Sequence, residues 1–107
     1  MHVDPGRQTD QRVAVIIPAK DEAERIGMTV RAVKALPFVD LDLIVVVDDG
    51  SSDDTREVAR QAGAVTVRHT VNRGKASSME TGAKVVAMRA IKGEKPPLLL
   101  FLDADLA

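Results

Sequence analysis

Three short apolar runs stand out from an otherwise mixed chain: Val13 to Ile17, closed by Pro18, then Leu43 to Val47, and Leu98 to Leu102. Each is apolar at consecutive positions, the pattern of a strand buried on both faces. Val65 to Arg68 alternates instead, which predicts a strand at a sheet edge. Between these runs the apolar period lengthens to three and four residues. Ala23, Ile26, Val30 and Val33 place one stripe on a helix that Leu36-Pro37 ends. A second helix is expected from Ser52 or Asp53, either of which can cap its free amides, to a stop at Gly63. Ala76, Met79, Ala83, Val86, Ala87 and Ala90 predict the buried face of a third, closed by Gly93 and Pro96-Pro97.

Strands and helices therefore alternate, beginning and ending on a strand. That order implies a parallel sheet with right-handed crossovers and helices on both faces. The chain must reverse direction after its third strand to cover the second face, so the expected spatial order is 3-2-1-4, a Rossmann-like α/β arrangement. Strands 1 and 4 then meet at the switch point, where a crevice opens beyond the strand carboxyl ends. The distinctive polar clusters fall there: Pro18-Ala19-Lys20-Asp21-Glu22, Asp48-Asp49-Gly50-Ser51-Ser52-Asp53-Asp54-Thr55, and Asp103-Ala104-Asp105. Taken singly, each cluster also reads as caps and turns.

Composition narrows the function classes. A chain of 107 residues is the size of one domain or part of one. Fifteen basic against sixteen acidic side chains provide no summed field for nucleic acid, so phosphate binding must be local. The absence of cysteine excludes disulfides and thiolate metal sites and makes a cytoplasmic location the default. No apolar run approaches the ~20 residues that span a bilayer. Met1 to Gln11, polar with Pro5 and Gly6, reads as a loose lead-in.

Asp103 and Asp105 carry the most pointed chemistry, since two carboxylates one residue apart at a strand end offer hard oxygen ligands suited to Mg²⁺ or Mn²⁺. In Asn72-Arg73-Gly74-Lys75, the glycine permits close backbone approach and the flanking cations can meet phosphate oxygens. This is not a P-loop, because His69 and Ala76 stand where that motif needs Gly and Ser or Thr. Nor does a G-x-G-x-x-G turn follow strand 1. His2 and His69 are poor ligand candidates; His69, at the end of an edge strand, is expected at the surface.

Val15 to Glu22, Val46 to Thr55, Asn72 to Lys75 and Phe101 to Leu106, in this order and spacing, resemble the successive motifs of glycosyltransferase family 2 and its GT-A relatives, including dolichyl-phosphate sugar synthases and glucosyl-3-phosphoglycerate synthases. The resemblance implies that residues 12–107 form the nucleotide-sugar-binding half of a GT-A fold. It also implies a nucleotide-sugar donor, UDP favoured over GDP, held with a divalent metal. By the same resemblance Pro18, Ala19 and Glu22 line the nucleoside pocket, and Asp49 hydrogen-bonds the base. Lys75 lies near base or diphosphate, Asp103 faces the ribose or a metal-bound water, and Asp105 ligates the metal.

Family members continue well past their acid-x-acid motif, whereas this sequence stops two residues beyond Asp105. The base that activates the acceptor is therefore expected outside the chain, which alone should be inactive. Strand Leu98 to Leu102 is expected to pair with another chain or a missing segment. The candidate acceptors are a polyprenyl phosphate, which would add a peripheral membrane association, or a phosphoglycerate-like compound. Rival readings are a phospho-accepting receiver domain, whose acidic pair should follow strand 1, and a haloacid dehalogenase-type phosphohydrolase, whose Asp-x-Asp opens its domain. A non-catalytic nucleotide-binding remnant is a further alternative.

Overall fold

A computed structural model describes residues 12–37, 39–89 and 93–106, without the side chains of 39–42. The lead-in Met1 to Gln11 and the helix position Ala90 lie outside the described residues. Four parallel strands, β1 (Val13–Ala19), β2 (Val39–Asp49), β3 (Val65–His69) and β4 (Leu98–Phe101), form one sheet in the order β3-β2-β1-β4. The helices between them are α1 (Ile26–Lys34), α2 (Thr55–Gln61) and α3 (Lys75–Met88). This is the expected winding and order.

Alternation along β1 and β2 divides the core. Val15, Ile17, Ile44 and Val46 face α1 and α2 through Ile26, Val30, Val33 and Ala59, while Ala14, Ile16, Val45 and Val47 face α3 through Val86. Both central strands are covered on each side, so their continuous apolar runs follow directly from the topology.

The structure corrects the reading of the helices in three places. Ala23 precedes α1, in the turn that Glu22 closes by accepting the amides of Arg25 and Ile26. Helix α2 starts at Thr55, later than expected: Asp53 does accept the Thr55 amide through Oδ1, at 3.0 Å, but its Oδ2 and the Ser52 amide bind the neighbouring loop. On α3 the fully buried positions are Ser78, Gly82 and Val86, whereas Ala76 and Ala87 are exposed. A small-residue face meets β1 because it lets the helix backbone come close: a Cβ on Gly82 would stand 2.3 Å from Ile16 Cγ2.

Strand β4 pairs with β1 from Val13↔Leu98 to Ile16↔Phe101, and among the described residues no strand covers its other flank. Leu98, Leu99 and Phe101 are consequently exposed. No helix among the described residues is long and apolar enough to cross a membrane.

Candidate functional site

The loops that leave the carboxyl ends of β1 and β2 are built into each other. The Asp21 amide donates to Ser51 Oγ at 2.8 Å and the Glu22 amide to Thr55 Oγ1 at 2.8 Å. In return Asp21 Oδ1 accepts the Ser52 amide at 2.7 Å. Asp21 adopts a left-handed conformation, φ 52°, which a short polar side chain bonded to local amides tolerates. The Ser52 amide above all, and then Lys20, hold its carboxyl below the usual range. Asp53 likewise sits low, first because Thr55 donates its hydroxyl to it, and then through the Thr55 and Ala23 amides. Asp48, almost fully buried, accepts the Ser51 amide at 2.9 Å and so shapes the β2 turn from within.

Asp49 ties this pair of loops to the one that follows β3. Its Oδ1 accepts His69 Nδ1–H and the Arg73 amide, each at 2.8 Å, and its Oδ2 accepts the Gly74 amide at 2.9 Å. Burial pushes this carboxyl up, but the bonds from His69, Arg73 and Gly74 outweigh it, and the group stays ionised below the ordinary value. The Asn72 to Lys75 turn is thereby pinned against β2, and Gly50, at φ 76°, fits beneath it with no room for a side chain.

The third wall is the acid-x-acid loop. Ala104 is buried in the core beneath α1, and its carbonyl accepts the Thr29 hydroxyl at 2.7 Å. That anchor leaves the residues on either side exposed. Asp103 Oδ1 meets Lys75 Nζ at 2.8 Å, and Asp105 Oδ2 lies 3.6 Å from Arg25 Nη1. The hydrogen bond from Lys75 to Asp103, with the charge of that carboxylate, raises the lysine above its usual value.

Pro18, Ala19, Glu22, Asp49, Lys75, Asp103 and Asp105 all line one open pocket of about 310 Å³, together with Lys20, Asn72, Gly74, Ser78 and Ala104. The residues to which the resemblance gave a donor-binding or metal-binding role are thus neighbours in space, whereas Arg73, the other cation of the Asn72 to Lys75 turn, does not line the pocket. Among the described residues no three His, Asp or Glu side chains gather as a metal-ligand set. The donor set here is two carboxylates at the mouth of a pocket, which suits an ion that keeps waters and shares its remaining positions with phosphate oxygens.

His69 was not anticipated as a site residue. Instead of lying at the surface it is buried, bonded through Nδ1 to Asp49 and through Nε2 to Thr81 Oγ1 at 2.7 Å. The signal that could have found it is its place at the carboxyl end of β3, in register with Asp49. Ser78, whose hydroxyl bonds the Gly74 carbonyl at 3.1 Å, and Thr29 were also missed.

This 3-2-1-4 parallel sheet, with an acidic pocket at its switch point, is the Rossmann-like arrangement of GT-A glycosyltransferase structures. The family model for glycosyl transferase family 2 matches residues 14–107, and the chain belongs to that family. Glucosyl-3-phosphoglycerate synthase of Mycolicibacterium smegmatis is 31% identical over 94 residues, covering 88% of this chain and 31% of that protein. Glucosyl-3-phosphoglycerate synthase from Mycobacterium tuberculosis, solved with Mn²⁺, UDP-glucose and phosphoglyceric acid, has the same fold, with a TM-score of 0.68 at 23% identity over 95% of this chain and 36% of that one. A mannosyltransferase from Pyrobaculum calidifontis, solved with GDP-mannose and Mn²⁺, gives a TM-score of 0.68 at 27% identity over 92% of this chain and 29% of that one. The chain therefore spans about a third of the length of these relatives. The family match replaces the receiver and phosphohydrolase readings.

Proposed function

We propose that residues 12–107 are the donor-binding part of a glycosyltransferase that takes a nucleoside-diphosphate sugar, UDP-linked in preference to GDP-linked, with Mg²⁺ or Mn²⁺. The observation that carries this reading is the gathering of Asp49, Lys75, Asp103 and Asp105 around one pocket at the strand carboxyl ends. Pro18, Ala19 and Glu22 would wall the nucleoside. Asp49, kept ionised, is an acceptor for a ring N–H of the base.

Asp103 and Asp105 would hold the cation, which when bound neutralises charge building on the departing nucleoside diphosphate as the bond from the sugar carbon breaks. Lys75, now bonded to Asp103, lies within the same wall and would meet phosphate oxygens. The relatives solved with UDP-glucose or GDP-mannose and Mn²⁺ support the substrate class. The acceptor, a polyprenyl phosphate or a phosphoglycerate-like compound, would be bound by residues other than these, which would also supply the base where the attacking group is a hydroxyl. The open flank of β4 is where a further strand, from the same protein or another chain, would pair. A cytoplasmic setting belongs to the same reading.

Titration of UDP into the chain with and without Mn²⁺, repeated with Asp105→Ala, tests the reading. Affinity should rise with Mn²⁺ in the native chain and lose that dependence in the variant. Metal-independent binding that ignores the substitution would reject it.

A further inference from the structure

His69 has no part in the chemistry above, yet it is buried at 6% exposure against a site carboxylate that is itself 5% exposed. A hydrogen-bond count at Asp49 gives it a role. A carboxylate offers about four acceptor positions, two on each oxygen. Oδ1 has both filled, by His69 Nδ1–H and the Arg73 amide, while Oδ2 has one filled, by the Gly74 amide. Among the described residues a single acceptor position therefore remains on Asp49, on Oδ2, in a residue that lines the pocket.

The imidazole decides which oxygen that is. Because the Asp49 carboxylate can only accept, its bond to Nδ1 calls for the hydrogen on that nitrogen, and in a neutral ring Nε2 is then left to accept the Thr81 hydroxyl proton. The opposite tautomer would set the Nδ1 lone pair against Oδ1 and release the carboxylate to rotate. We propose that His69 is the positioning residue of the pocket: oriented from α3 by Thr81, it locks Asp49 so that Oδ2 alone meets one N–H of a bound base. The proposal rests on the nucleotide-binding reading and adds to it a residue that touches no ligand.

Two variants separate positioning from mere packing. In His69→Asn the side-chain amide nitrogen falls where Nδ1 stood, keeping the donor to Asp49 but losing Thr81. In His69→Gln it falls near Nε2, keeping Thr81 but losing Asp49. Calorimetric titration with UDP and Mn²⁺ should find His69→Asn within about threefold of the native chain and His69→Gln about tenfold weaker than the native chain, a loss of about 1.4 kcal/mol. Inorganic pyrophosphate with Mn²⁺, which brings no base N–H to Asp49, should change far less with either substitution. Equal losses in both variants, in step with their melting temperatures, would overturn the proposal.

Nitrogen NMR of the ligand-free chain judges it without any nucleotide. The native imidazole should carry its proton on Nδ1, and the Arg73 and Gly74 amide signals should hold in His69→Asn and move in His69→Gln. A proton found on Nε2 alone would reject the positioning role even if both variants failed to fold. Failure of the native chain to bind UDP or GDP would instead reject the nucleotide reading, leaving the amide signals to judge the lock on Asp49.

Discussion

Gly82 of α3 lies directly over Ile16 of β1, and a methyl group added to it would stand 2.3 Å from Ile16 Cγ2 and 3.2 Å from Cγ1. Alanine normally favours a helix interior over glycine by about 1 kcal/mol. Here overpacking, at about 1–3 kcal/mol, should win, because Ile16 is fully buried and has nowhere to go. Gly82→Ala is expected to lower the urea midpoint. Ile16→Ala alone costs about 2–5 kcal/mol, but the double variant should cost less than the sum, since the truncated side chain vacates the space the new methyl needs. Strict additivity would contradict the contact.

That contact also explains what the sequence revealed and what it concealed. Val13 to Ile17 and Leu43 to Val47 announce central strands because burial on two faces leaves no polar alternation, and the strand order follows from topology alone. The acidic loops could be assigned to one edge because parallel strands send all their carboxyl ends the same way. The buried face of α3 was hidden because apolar periodicity gives no weight to Ser78 and Gly82, whose virtue is smallness. His69 was hidden for another reason: its burial depends on partners 20 and 12 residues away, Asp49 and Thr81, that only the fold brings to it.

Gly50 and Gly93 share a positive φ but differ in surroundings. A Cβ at Gly50 would meet the Asn72 nitrogen at 2.7 Å and the Val71 carbonyl carbon at 2.8 Å, both backbone atoms, while at Gly93 nothing lies within 4 Å. Gly93→Ala should therefore cost only the left-handed penalty, about 1–2 kcal/mol. Gly50→Ala should cost about 1–3 kcal/mol beyond that, since the loop after β3 must shift. Paired denaturation curves check the difference, and UDP affinity should fall for Gly50→Ala alone.

Thr29 holds the acid-x-acid loop from below through its bond to the Ala104 carbonyl. Thr29→Val keeps the shape and removes the donor, at a cost of about 1–3 kcal/mol for a buried bond. Because Ala104 stands between Asp103 and Asp105, the Mn²⁺ enhancement of UDP binding should drop several-fold in the same variant. Thr29→Ser should restore both. Calorimetry of the three proteins in parallel tests this, and an unchanged Mn²⁺ effect in Thr29→Val would separate the anchor from the carboxylates.

Acid should loosen the site through Asp49. Its carboxyl lies below the ordinary value of 3.8 in the folded chain, so the unfolded chain takes up a proton first as the pH falls. The stabilisation is thus fully present above that ordinary value and is lost as the pH drops through the lower, folded one. Asp53 and Asp21 are displaced in the same direction and add to the trend. Asp49→Asn replaces an acceptor facing the Gly74 and Arg73 amides with a group that is half donor, and should cost about 1–3 kcal/mol at neutral pH. Since protonation removes the same charge from the native chain, the gap between the two proteins should narrow steadily below pH 3.8. Urea midpoints measured for both across the acid range check the sign. A gap that stays constant down to the acid limit would mean that the Asp49 charge contributes nothing to holding the loops together.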